Sequence, residues 1–186
     1  KEGRFDGVDI LACQGSLINR FLSPLTNRRT DEYGGSLDNR MRMLIEIIGI
    51  AKKKVGDDFV LSCRLSVDEL MEGGLTTPDY LPICAVLEKA GVHCLNVGVG
   101  WHESTVPYLQ NSVSPGSLTY VAKAVKQVVT IPVITAQRIN SASLAEDILA
   151  RREADIIGMA RALIADPDLP NKTKEGRLDE IRPCIC

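Results

Sequence analysis

Two segments of this chain, Ile131-Pro132-Val133-Ile134-Thr135-Ala136-Gln137-Arg138 and Ala154-Asp155-Ile156-Ile157-Gly158-Met159-Ala160-Arg161, share one design: an apolar strand, then small residues, then an arginine. Successive strands that deliver arginine to one rim point to a phosphate site, because a guanidinium fork matches a phosphate and backbone N–H groups can complete its shell. The pattern also fits two ordinary buried strands ending in solvated arginines, since small residues often follow strands. A second group that could do chemistry lies in the tail, where Cys184 and Cys186 stand close together in a Pro-flanked stretch. That spacing fits metal or cluster ligation better than a disulfide framework. Cys13, Cys63, Cys84 and Cys94 are scattered singly through strand and helix patterns, where a free cysteine acts as a small buried hydrophobe.

The elements that must position these residues follow from periodicity. Gly7 to Leu11 reads as a short strand, and after a long loop Ser36 can cap a helix. Its apolar positions Met41, Leu44, Ile45, Ile48 and Ala51 recur at helical spacing until Gly56 ends it. Phe59 to Leu65 is the next strand. Thr77 and Pro78 read as N-cap and first residue of a helix that runs to Ala90 and stops at Gly91. Val92 to Val97 is a strand, Ser117 to Val128 a helix, Pro132 to Thr135 a strand, Ser141 to Leu149 a helix and Asp155 to Met159 a strand, with a short helix from Arg161. Apolar strands alternating with helices pack as a parallel sheet covered on both faces. A closed (β/α)8 TIM barrel needs eight such units and about 250 residues. With about five strands legible in 186 residues, the expected fold is α/β, the C-terminal part of such a barrel, strands four to eight. A complete open α/β domain is the alternative. In barrels of this kind the loops after the last two strands commonly hold a ligand's phosphate, and that is where Arg138 and Arg161 fall.

Composition narrows the partners. The chain is 45% hydrophobic and 25% charged with a formal net charge of −2, which excludes a disordered or fibrous class. With 22 basic against 24 acidic residues, and no basic run longer than Lys52-Lys53-Lys54, it lacks the footprint of a nucleic-acid binder. The longest apolar stretches fall short of a bilayer span, and no charged-then-apolar leader is seen, so a cytoplasmic protein acting on a small molecule is expected. Oligomeric state is open.

The loop Phe21-Leu22-Ser23-Pro24-Leu25-Thr26-Asn27-Arg28-Arg29-Thr30-Asp31-Glu32-Tyr33-Gly34-Gly35-Ser36-Leu37-Asp38-Asn39-Arg40 closely resembles the signature of the old yellow enzyme family of flavin oxidoreductases. Gly98-Val99-Gly100-Trp101-His102-Glu103, Gln137-Arg138-Ile139-Asn140, Met159-Ala160-Arg161 and Arg182-Pro183-Cys184-Ile185-Cys186 are similar to its 2,4-dienoyl-CoA reductase branch. The resemblance implies an FMN-dependent reductase of activated C=C bonds. Its electrons would come from NAD(P)H through FAD on a domain outside this chain and a 4Fe-4S cluster. It implies that residues 1–180 belong to the flavin barrel and that residues 181–186 begin the cluster segment, with Cys184 and Cys186 as metal ligands. Arg64 would hold the electron-rich end of the FMN ring, where a cation favours the anionic reduced form. Gln137, Arg138, Met159, Ala160 and Arg161 would bind the cofactor, the arginines and Ala160 at its phosphate. Gln14, His102, Glu103, Ser104 and Thr105 would meet an enoyl or dienoyl substrate, with His102 beside its thioester carbonyl.

Two positions depart from the family pattern. Family members carry tyrosine, as the acid that protonates the substrate carbon, where this chain has Ser16. Serine reaches less far than tyrosine and is a far weaker acid, so proton delivery would fall to His102 or water, or reduction would be impaired. Cys184-Ile185-Cys186 has one intervening residue where the family's cluster segment starts with two. The rival expectation is a flavin-binding or structural homologue without turnover, and related enoates, steroid enones or amines are alternative substrates.

Overall fold

Five short apolar runs pair side by side in chain order, all parallel. The computed structural model describes residues 3–56 and 58–185; the expectation for Cys186 lies outside them. The strands are β1 (Gly7–Ala12), β2 (Val60–Asp68), β3 (Cys94–Val99), β4 (Val133–Thr135) and β5 (Ile156–Ile157). The helices are α1 (Leu17–Leu22), α2 (Leu37–Val55), α3 (Thr77–Lys89), α4 (Tyr120–Val125), α5 (Ala142–Ala150), α6 (Arg161–Ala165) and α7 (Leu169–Lys174), followed by a 3-10 turn at Leu178–Glu180. This is the succession of βα units of a (β/α)8 barrel.

Strand alternation divides the sheet into two faces. Leu61, Cys63, Leu65 and Val67 of β2 and Leu95, Val97 and Val99 of β3 are buried in one core with Leu44 and Ile48 of α2, Ile83 and Leu87 of α3, and Val121 and Val125 of α4. The other face carries the register row Leu11, Arg64, Asn96, Ile134 and Ile156. Leu11 is 52% and Ile156 45% exposed, so coverage of both faces, expected from the apolar strands, is not met among the described residues. In a barrel that inner face is closed by the remaining strands rather than by helices.

Several boundaries move for identifiable reasons. Ser36 caps α2 as expected, its Oγ accepting Asn39 N–H, and Gly56 ends the helix. The α3 cap is Thr76 rather than Thr77, because Asp79 Oδ2 accepts both the backbone N–H and the hydroxyl of Thr76. The expected Ser117–Val128 helix contracts to Tyr120–Val125, its start taken up by a turn in which Ser117 Oγ donates to Ser114 O. Strand β5 is shorter than expected, although Gly158 N–H still donates to Thr135 O at 2.7 Å. Helix α1 lies inside a stretch that reads as loop. The four scattered cysteines are buried as expected, and burial pushes the Cys13 thiol up to about 11 and the Cys84 thiol to about 12.

The tail is held by one carboxylate. Asp166, 1% exposed, accepts from Lys172 Nζ at 2.7 Å, Arg182 N–H at 2.8 Å and Asp168 N–H at 3.1 Å. Lys172 Nζ also donates to Glu180 O, and Asn140 Nδ2 to Cys184 O. The Lys172 ammonium, then the backbone donors, hold the Asp166 carboxyl down at about 2. A carboxyl depressed in the folded state contributes stability that is complete above its ordinary value near 3.8 and is lost as pH falls toward about 2. Hydrogen exchange at residues 178–185 should therefore accelerate, relative to intrinsic rates, across that window. Asp166→Asn should reproduce the release at neutral pH and speed alkylation of Cys184 while Cys13, Cys63, Cys84 and Cys94 stay protected; unchanged Cys184 reactivity would reject the clasp.

Candidate functional site

At the C-terminal ends of the strands lies a cavity of about 200 Å³. Gln14 enters it from the end of β1 and Arg64 from β2; Ala136 to Asn140 follow β4, Gly158 to Ala162 follow β5, and Leu109 and Cys184 close the sides. Arg64, Arg138 and Arg161, from three separate stretches, thus line one cavity. Arg64 has no hydrogen bond or ion pair among the described residues. Arg138 is 5% exposed; its Nε donates to Val113 O at 2.8 Å, and its buried Nη1 has no partner among the described residues. A buried N–H without an acceptor costs about 1–3 kcal/mol, so this atom is set for an acceptor from outside the chain. Arg161 opens α6 and donates to Leu109 O at 3.2 Å.

The loop after β4 shows how Arg138 is held. Gln137 and Arg138 both have left-handed backbone, φ +71° and +56°, a conformation costing on the order of 1–3 kcal/mol per non-glycine residue unless the surroundings fix it. Gln137 supplies the fixation: its Oε1 accepts Val99 N–H and its Nε2 donates to Val99 O, both at 2.8 Å. A Cβ on Gly98 would lie 2.7 Å from that Oε1, so glycine there is what admits the clamp. The side-chain amide of Gln137, expected at the cofactor, is thus committed to β3, although the residue borders the cavity. Met159 and Ala160 border it as well.

The expected substrate residues separate from this group. Gln14 lines the cavity, whereas Ser16, His102, Glu103, Ser104 and Thr105 do not. Ser16 Oγ donates to Leu11 O at 3.2 Å, away from any acid role. Glu103 pairs with Arg20 at 2.5 Å, and Arg20 also donates to Gly15 O and lies 5.7 Å over the Trp101 ring. Ser104 Oγ donates to Leu70 O, and His102 and Thr105 are exposed beside it.

Sequence reasoning missed the groups that tie these loops together. Ser66, two residues beyond Arg64, accepts Gln14 N–H at 2.9 Å and donates to Gly100 O at 2.8 Å. Tyr108, 6% exposed, donates to Trp101 O and packs its ring over Gly100. Glu69, fully buried, accepts from Asn19 Nδ2 and Tyr80 OH on one oxygen and from Ser23 Oγ and Leu75 N–H on the other. Burial pushes its carboxyl up while these donors pull it back. The only sequence signal is a glutamate shortly after an apolar strand.

The donor set fits the phosphate of FMN: an orphaned buried guanidinium nitrogen, two further arginines and small residues at the lip. Cys184 is the one thiol at the cavity and no group of three metal-ligating side chains occurs among the described residues, so these residues alone do not complete a 4Fe-4S cluster. No helix among these residues is long and apolar enough to cross a membrane.

Comparison with known proteins agrees with the arrangement. The metal reductase of Desulforamulus reducens is 48% identical over 185 residues, covering 100% of this chain and 28% of that protein. The NADH oxidase of Thermoanaerobacter brockii is 47% identical over 186 residues, 100% of this chain and 29% of the relative. The chain thus spans under a third of these relatives. The solved 2-naphthoyl-CoA reductase in complex with 2-naphthoyl-CoA superposes with a TM-score of 0.94 at 41% identity, over 96% of this chain and 27% of that one. The sheet described above is accordingly part of a TIM barrel. With the NADH:flavin oxidoreductase / NADH oxidase family matching residues 1–180, this chain belongs to that family, the old yellow enzymes.

Proposed function

We propose that this segment is a flavin-binding part of an FMN-dependent reductase of activated C=C bonds, with an aromatic or unsaturated acyl-CoA or a related enoate as substrate and NAD(P)H as electron donor. The observation that carries it is the unpartnered Nη1 of Arg138 in a cavity shared with Arg64 and Arg161. The likeness to 2-naphthoyl-CoA reductase supports the substrate class. When bound, FMN supplies a hydride to the electron-poor carbon. Arg138, Arg161 and the backbone at Ala160 would bind its phosphate, Arg64 would stabilise negative charge on its ring, and Met159 would offer it an apolar side chain. His102, on the exposed loop after β3, would donate to the substrate carbonyl, with Ser104 and Thr105 beside it and Glu103 held by Arg20 at the edge of the loop. Residues 181–186 begin a further segment, where Cys184 and Cys186 would join cluster ligands outside this chain.

Ser16 favours a second reading, in which the electrons pass to an acceptor that needs no proton at carbon, such as a metal ion or dioxygen. Relatives named metal reductase and NADH oxidase are in keeping with this. A flavin-binding homologue without turnover is the third reading.

Purified full-length protein should be yellow, bleach with NAD(P)H and regain colour on adding an enoyl-CoA; recovery only with ferric iron or air selects the second reading, and protein that stays colourless after FMN reconstitution overturns both. Arg138→Met should weaken FMN binding about ten- to a hundred-fold by flavin-fluorescence titration, the worth of one charged hydrogen bond. Ser16→Tyr should accelerate the oxidative half-reaction with an enoyl-CoA in stopped flow if proton delivery limits it, and an unchanged rate would dismiss that account.

A further inference from the structure

Glu69 buries a carboxylate with neutral donors alone, and among the described residues it has no cationic partner. Four donors make that tolerable, but a well-packed apolar residue is commonly as stable or more so. What the carboxylate adds is direction. An asparagine amide donates on one side and accepts on the other. With Asn19 Nδ2 bound to Glu69 Oε1 at 3.1 Å and to Tyr80 Oη at 3.0 Å, Asn19 Oδ1 is left facing Gly15 N–H, which it accepts at 2.9 Å. Gly15 has φ +75° and follows Gln14 at φ +56°. This left-handed pair follows β1 and brings Gln14 to the cavity beside Arg64. Ser66 holds the amide of Gln14 and Asn19 that of Gly15, so each peptide of the pair has one side-chain acceptor.

We infer that Glu69 is a positioning residue for the substrate side of the cavity: through Asn19 it fixes Gly15, and thereby the backbone that presents Gln14. Calling that side the substrate's rests on the function proposed above, whereas the orientation of Asn19 by Glu69 is independent of it.

The test is a reversal of donor and acceptor in the full-length protein. In Glu69→Gln the new amide must accept from Leu75 N–H, so its NH2 meets the NH2 of Asn19. The hydroxyls of Ser23 and Tyr80 can turn to suit, but Asn19 can do so only by flipping its own NH2 onto Gly15 N–H. Hydrogen exchange at Gln14 and Gly15 should then rise about ten-fold or more, the loss of one buried bond. The double variant Glu69→Gln/Asn19→Asp restores the ring in reverse: the introduced amide donates to the introduced carboxylate, whose other oxygen accepts Gly15 N–H. Exchange should return to within about two-fold of the parent. Ser23→Ala, which removes a donor from the other oxygen of Glu69, should lower the melting temperature without hastening exchange at Gly15. In turnover, Glu69→Gln should raise KM for an enoyl-CoA about five-fold with a smaller change in kcat, leave FMN content unaltered, and be rescued by the double variant. Unaltered exchange at Gly15 in Glu69→Gln overturns the inference, as does equal acceleration in Ser23→Ala. A double variant that fails to recover, or to fold, when Ser23→Ala spares Gly15 counts against it too. Exchange needs no flavin, so a failure of the flavin reading would remove the KM result and leave the exchange result standing.

Discussion

A guanidinium group in a protein interior is normally surrounded by acceptors, and the organisation of this sheet turns on two that are not. Arg64 stands on the inner face without a carboxylate, and Arg138 is almost wholly buried with a nitrogen unsatisfied among the described residues. The placement of Arg138 is unfavourable alone, because a buried N–H without an acceptor keeps its desolvation cost, whereas Arg64 is half-buried. Both persist because the backbone that carries them is fixed by other means: Arg64 by the middle of the longest strand, Arg138 by a left-handed loop clamped to β3 through Gln137. The outcome is concentrated positive potential in a chain whose net charge is close to zero, which is the local condition for holding a phosphate.

The same logic runs around the rim. Ser66, Gln137, Tyr108 and Glu69 each join a loop to a strand end or to another loop by hydrogen bonds from side chain to backbone or among side chains. Loops at strand ends are ordinarily the mobile part of a barrel. Here cross-links convert them into a frame of low conformational entropy, which is what pre-organised binding requires. By contrast His102 and Thr105 are exposed.

Sequence signals are readable where local chemistry decides the outcome. Ser36 and Gly56 bound α2 because a cap and a glycine stop act within one turn, and the two strand-plus-arginine segments share an end of the sheet because parallel strands all point the same way. Other features depend on partners far along the chain. Glu69 lies 46 to 50 residues from Ser23 and Asn19, and nothing in its neighbourhood marks it as buried. Gln137 has the sequence context of Arg138 and so suggests a ligand contact, yet its amide serves Val99. Helix α1 is too short for a periodic pattern and is stabilised by Asn19 and Leu22 packing inward. Thr76 displaces Thr77 as a cap because Asp79 spaces better from it, a difference of one residue that composition does not resolve.

Sheet order that follows chain order has a further consequence for how the molecule is made. Each βα unit docks on the one synthesised just before it, so most contacts form between segments close in time of emergence from the ribosome, and little loop-closure entropy is at stake. The anion cavity is the exception. Its arginine Arg161 follows the fifth strand, and until that strand docks the nascent chain has cations but no pocket. A ligand held by both arginines would therefore stabilise the sheet only once β5 has docked.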